Sequence, residues 1–176
     1  MTGRDAVPGV PDHQPDHRRD TGDGVPPRKQ RKHPARGVFI SNDQPTIVFV
    51  TVCTKNRKPW LAQERVHHAL RDVWTAATAW LVGRYVLMPD HLHLFCAPND
   101  QSVELNTWVA YWKRQFSCLH LSETGDWQRE CWDTRLRRSE SYGDKWDYVR
   151  LNPVRKRLCA APEEWPYQGE LNVLMW

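Results

Sequence analysis

Tyr85-Val86-Leu87-Met88-Pro89-Asp90-His91-Leu92-His93-Leu94-Phe95-Cys96 reads as two short strands joined by a tight turn. Pro89-Asp90 supplies the turn, because proline presets φ and aspartate accepts a local hydrogen bond. Pro98-Asn99-Asp100 ends the second strand. Side chains two apart in a strand share a face, roughly 6.5–7 Å apart along the chain. His91 and His93 therefore point one way, and Leu92, Leu94 and Cys96 the other, into a core. Two imidazoles on one face can converge on a metal ion, with a third ligand from elsewhere. The same pair also reads as two half-exposed histidines on a sheet face.

Upstream, Thr46-Ile47-Val48-Phe49-Val50-Thr51-Val52 is a β-branched, nearly continuous apolar run, as expected of a buried central strand. Val66, Leu70, Val73, Trp74, Ala77, Trp80 and Leu81 then recur at helical spacing, predicting a helix over 64–81 that Gly83 ends. Downstream, Ser102 can cap a second helix with the stripe Leu105, Trp108, Val109, Trp112, Phe116 and Leu119. Residues 127–138 read as a short strand or extended segment, and Ser139 can open a third helix to about Leu151. Strand, helix, strand, strand, helix, strand, helix is an α+β order, with helices packed on an antiparallel sheet.

Residues 1–36 differ from the rest: six prolines, four glycines and no aromatic residue. Such a segment buries too little apolar surface to offset its ordering entropy and is expected to be a disordered basic, Pro-rich tail, leaving 37–176 as one domain. Its end, 28–36, carries five basic residues and no acid, which suits a nucleic-acid arm or a solvated linker. The 176-residue chain has a net charge of +4, which favours a polyanionic partner. Ten tryptophans are many for this length; some are core, and others offer flat faces for bases to stack on. Five cysteines without C-x-x-C spacing suggest neither a disulfide framework nor a zinc ribbon. A reducing cytoplasm fits them, and no apolar stretch is long enough for a membrane span or a secretory signal.

Lys145-Trp146-Asp147-Tyr148-Val149-Arg150-Leu151-Asn152-Pro153 carries the second chemical feature. On a helix, Lys145, Tyr148 and Asn152 form one stripe, and Trp146 lies about 200° around from Tyr148. Trp146 can face the core while Tyr148 does not. A tyrosine in such a place is either structural or a nucleophile. A phenol attacks phosphorus when its proton is removed and the phosphoryl charge is neutralised, and a metal supplies the second need.

The chain resembles the REP-associated tyrosine transposases, a branch of the single-tyrosine HUH transposases. The resemblance runs from about Phe49 to Tyr167 and rests on six ordered segments. These are Thr51-Val52-Cys53-Thr54-Lys55-Asn56-Arg57-Lys58-Pro59, Val86 to Leu94, Trp112-Lys113-Arg114-Gln115-Phe116, Trp127-Gln128-Arg129, Asp147 to Val154, and Pro162-Glu163-Glu164-Trp165-Pro166-Tyr167. It implies a ferredoxin-like α+β core with the HUH motif on a sheet strand. It implies Mg²⁺ or Mn²⁺ bound by His91 and His93, with Asn152 where a third ligand is expected, and Tyr148 as nucleophile. The substrate class it implies is single-stranded DNA that folds into hairpins, cut and rejoined through a covalent 5′-phosphotyrosine. A nucleoid-associated cytoplasmic protein, monomer or homodimer, is the corresponding expectation.

The sequence departs from the family pattern at Thr134, often His, at Arg157, often Gly, and at Glu130 and Cys131. Between 135 and 157 stand eight basic residues and three acidic ones. Arg135, Arg137, Arg138, Lys145, Arg150, Arg155, Lys156 and Arg157, with Lys113 and Arg114 on the second helix, are the candidate DNA contacts. Two other readings remain: a non-catalytic hairpin-binding module derived from such an enzyme, and a metal hydrolase in which water attacks and Tyr148 is structural.

Overall fold

The structure, a computed structural model, describes residues 46–120, 125–136 and 139–175. The expected tail, with Arg137 and Arg138, lies outside the described residues. The elements are β1 (Val48–Thr54), α1 (Glu64–Ala76), β2 (Trp80–Met88), β3 (His91–Pro98), α2 (Leu105–His120), β4 (Trp127–Arg135), α3 (Ser139–Arg150), α4 (Asn152–Arg155) and β5 (Gln168–Glu170). The sheet order is β4-β1-β3-β2-β5, with every neighbouring pair antiparallel. The first four strands with α1 and α2 make the expected ferredoxin-like unit, and β5 extends it beyond β2.

Alternation along the strands assigns the two faces. Val48, Val50 and Val52 of β1, with Leu92, Leu94 and Cys96 of β3, are buried under α1 and α2. There they meet Leu70 and Val73 from α1 and Trp108, Trp112 and Phe116 from α2. Burial of a side chain such as Leu70 or Phe116 contributes about 1.5–3 kcal/mol. The opposite face carries Phe49, Val86, Met88, Phe95 and Ala97, and α3 packs on it through Val149, Tyr142 and Trp146. Trp146 thus faces the core as its position around the helix predicts, while Tyr148 is 57% exposed.

Four local expectations are corrected. The first helix ends at Ala76 rather than 81, and Trp80 and Leu81 belong to β2, paired with Pro98 and Ala97 of β3. Gly83 is no helix stop: it lies inside β2 where the register shifts between Val82 and Tyr85. A Cβ there would come within 2.6 Å of Leu174, so the close approach of the C-terminal segment explains the glycine. Ser102 does not cap α2; its backbone N–H and hydroxyl both donate to Asp100 Oδ1, three residues before the helix begins. The third helix ends at Arg150, within a residue of the expected end, but Asn152 is not on it with Tyr148: it opens the single turn α4 with Pro153 behind it. Pro153 has no N–H to continue the α3 ladder.

Candidate active site and nucleic-acid interface

Strand register places the histidines. Cys53 of β1 lies opposite His91 and Thr51 opposite His93, so the pair projects from the face that α3 covers. The rings are 4.8 Å apart between centroids and nearly perpendicular. Each uses Nδ1 for a protein partner: His91 Nδ1 lies 2.7 Å from Asp90 Oδ1, and His93 Nδ1 lies 2.9 Å from Thr51 Oγ1. The Asp90 carboxylate only accepts, so His91 donates there and its Nε2 carries the lone pair. Phe49 stacks on His93 at 5.3 Å.

Burial pushes His93 down to about 3, with the charges of His91, Lys145 and Arg57 acting in the same direction against Asp90. Burial also lowers His91, outweighing the hydrogen bond and charge of Asp90. Burial raises Asp90, yet the hydrogen bond and charge of His91 and the charge of Arg57 hold its carboxyl below the ordinary value. Both imidazoles are therefore neutral near pH 7, the state a metal ligand requires. A carboxylate behind a ligating histidine is the usual outer partner. The donor set fits a divalent metal on His91 Nε2, and on His93 Nε2 in the tautomer whose Nδ1 donates to Thr51. Among the described residues no cluster of three His, Cys, Asp or Glu side chains completes it.

Lys145 connects the tyrosine helix to this face of the sheet. Lys145 Nζ lies 4.6 Å from the Phe49 ring centroid and 5.6 Å from that of Tyr148, linking α3 to the ring that stacks on His93. The Arg155 guanidinium lies 4.1 Å from the Tyr148 ring centroid. Its Nη1 donates to the Tyr148 carbonyl at 2.7 Å and to Asn152 Oδ1 at 3.4 Å. Arg155 thereby holds together the two residues separated by the helix break. Lys156 is close enough to His91 for its charge to be felt there.

The remaining cations divide. Arg114 and Lys113 line a groove of about 670 Å³ together with Lys55, Arg57, Arg129 and Asp126. Arg57 joins this groove to the histidines, since its Nη1 lies 3.3 Å from Asp90 Oδ2. Lys113, however, is buried, and its Nζ donates to the carbonyls of Gln128 and Arg129, tying α2 to β4. Arg135 stands opposite Val48, on the α1/α2 face, and donates to Thr46 Oγ1. Arg150 pairs with Asp147 at 3.2 Å and Glu163 at 3.3 Å. Arg135 and Arg150 are thus directed away from the Tyr148 stripe.

Thr51, Asp90, Arg57 and Phe49 are absent from the sequence-derived site, and Arg155 enters it only as one of the basic residues around Tyr148. Asp90 could have been found as the neighbour of His91. Thr51 and Phe49 depend on cross-strand register, which one sequence does not display. Arg57 reaches Asp90 from a turn in which Asn56 and Arg57 both hold φ near +56°, a conformation costly for non-glycine residues.

No family model matches the chain. It is 29% identical over 98 residues to a Haemophilus influenzae protein named as a REP-associated tyrosine transposase, covering 47% of this chain and 54% of that one. It is 25% identical over 123 residues to the REP-associated tyrosine transposase of Escherichia coli, covering 68% and 73%. The chain thus spans about half of the first relative and nearly three quarters of the second. Its fold is similar to a solved REP-associated tyrosine transposase bound to a REP hairpin, with TM-score 0.61, 20% identity, and 75% and 81% of the chains covered.

Proposed function

We propose that this chain, which belongs to the REP-associated tyrosine transposase family, binds hairpin-forming single-stranded DNA and cuts and rejoins it through Tyr148. The observation that supports the reading is the contact chain Tyr148–Lys145–Phe49–His93, which links an exposed hydroxyl-bearing ring to the face that carries two neutral imidazoles.

The chemistry assigned to the residues is a transesterification. Tyr148 Oη loses its proton and bonds to the scissile phosphorus; the P–O3′ bond breaks and the leaving oxygen takes up a proton. The 5′-phosphate stays on Tyr148, and attack by a 3′-hydroxyl reverses the step without a nucleotide cofactor. His91 and His93 would hold the divalent metal, Mg²⁺ or Mn²⁺, through Nε2, with Asn152 Oδ1 as third donor once Arg155 releases it. When bound, such a metal supplies Lewis-acid neutralisation of the phosphate. Lys145 and Arg155 add positive charge around the attacking ring, and Arg57, Lys55 and Arg114 give the basic groove through which the strand is bound.

The test is adduct trapping. Wild-type protein with a hairpin oligonucleotide and Mn²⁺ is expected to give a covalent protein–DNA band on a denaturing gel. Tyr148→Phe should bind the hairpin equally well and give none. A wild type that binds but never forms the adduct leaves the non-catalytic binding module. Cleavage with a free 5′-phosphate and no adduct leaves the metal hydrolase.

A further inference from the structure

Register carries the row of residues containing His93 out to the edge of the sheet. His93 of β3 faces Thr51 of β1, and Thr51 faces Trp132 of β4. Directly opposed residues share a face, so Trp132 projects on the same side as the histidine pair, about 10 Å of sheet away at two strand spacings. The aromatic rings on this face nearer α3 are covered: Phe95 contacts Tyr142 and Trp146, and Phe49 is buried between His93 and Lys145. Trp132 is 37% exposed, and among the described residues its indole makes no ring contact and no side-chain hydrogen bond. A tryptophan left partly open on an edge strand keeps apolar ring area in solvent on the histidine side of the sheet.

The surroundings say what fits it. The charges that border this face at the histidine end are cationic: Lys145, Arg155, Lys156 and Arg57. Asp133 stands opposite Val50 and so faces the α1/α2 side, Asp90 is engaged by His91 and Arg57, and Glu130, two residues before Trp132, is the one acid of β4 that alternation puts on Trp132's side. A flat apolar ring beside a cationic field suits a planar ligand that carries negative charge. In a hairpin substrate the stem bases are already stacked, whereas bases of the flanking single strand have free π-faces.

We propose that Trp132 is a positioning residue: a platform on which one unpaired base of the single strand stacks, fixing the distance between that base and the phosphate presented to Tyr148. This deepens the proposed function and rests on it for the identity of the strand. The platform gives register along the strand without reading sequence, since every base offers a π-face.

The experiment measures binding, so that turnover is not required. Hairpin oligonucleotides with single-stranded flanks, each flank position made abasic in turn, are titrated against the full chain and its Trp132→Ala and Trp132→Tyr variants. The expected result is one flank position at which removing the base weakens wild-type binding roughly 10-fold. Trp132→Ala should weaken binding of the intact oligonucleotide by a similar factor, and the two losses should not add. Trp132→Tyr should retain most of the affinity and the same sensitive position. Equal losses at every position, additive losses, or no loss in Trp132→Ala would overturn the proposal, as would a wild-type dimer that Trp132→Ala dissociates. Non-additivity without a Tyr148 adduct sinks the catalytic reading and keeps the platform. An adduct without non-additivity does the reverse, and failure to bind single strands ends both.

Discussion

The guanidinium of Arg155 stacks on the ring of Tyr148 while its Nη1 hydrogen-bonds both the Tyr148 carbonyl and the Asn152 side chain. One side chain therefore holds the Tyr148 ring and occupies the oxygen proposed as a third metal donor. Arg155→Ala removes about 1–2 kcal/mol of cation–π and charge-assisted hydrogen bonding. Adduct formation should slow about 10-fold, with hairpin affinity changed less. Single-turnover cleavage against equilibrium binding separates the two; an unchanged cleavage rate would remove Arg155 from the site.

Thr51 and Asp90 orient the two imidazoles from behind. Thr51→Val keeps the shape of the β-branched side chain and deletes the partner of His93 Nδ1. Loss of such an outer partner costs about 10- to 100-fold in metal affinity. Mn²⁺ titration followed by paramagnetic broadening or calorimetry should show that weakening in Thr51→Val, and little measurable binding in His91→Ala or His93→Ala. Equal Mn²⁺ affinity in all four proteins would exclude the histidines as ligands.

The depressed His93 gives an acid-sensitivity prediction for the metal-free protein. Its unfolded value of 6.5 lies above its folded value of about 3, so the unfolded chain binds the proton first. The contribution is fully present above pH 6.5 and is lost as pH falls towards 3, at up to about 1.4 kcal/mol per pH unit. Denaturant midpoints in chelator should fall between pH 6.5 and 5 in wild type and fall less steeply in His93→Gln. Parallel profiles would mean that His93 is solvated.

Lys113 and Arg114, adjacent in sequence, should separate in behaviour. Lys113→Met removes a buried ammonium bonded to two β4 carbonyls and should cost about 1–2 kcal/mol of stability. Arg114→Ala should leave the melting temperature unchanged, weaken hairpin binding and reduce its salt slope by about one. The reverse assignment of effects would contradict the burial of Lys113.

The parts legible in sequence were those encoded by local pattern. The alternation in His91-Leu92-His93-Leu94 separates a polar face from a core face, and the 3.6-residue stripe of α2 survives from Leu105 to Phe116, whereas Leu119, expected to continue it, is 67% exposed. The angular separation of Trp146 from Tyr148 places one ring in the core and the other in solvent. What failed was decided by distant partners. Trp80 and Leu81 continue a helical stripe by spacing, yet their ladder bonds to β3 make them strand. Gly83 looked like a stop because Leu174, which requires it, is 91 residues away in sequence. Gln168–Glu170 is too short to announce itself as a strand and exists by pairing with β2. Basic residues between 135 and 157 were gathered by proximity in sequence, whereas strand parity and helix angle scatter Arg135 and Arg150 away from Tyr148.

The segment after α4 returns to grip β2: the Trp165 indole donates to the Leu87 carbonyl, the Leu87 N–H to Tyr167, and Leu171 and Asn172 bond to Gly83 and Val82. During vectorial synthesis β2 thus waits, with one ladder edge open, until the residues near 172 have left the ribosome. The first arm of the histidine hairpin thus keeps its outer edge open until that segment arrives. A ribosome that pauses before Trp165 would hold a nascent chain with an unpaired apolar edge, the kind of surface that chaperones capture and neighbouring nascent chains can cross-pair.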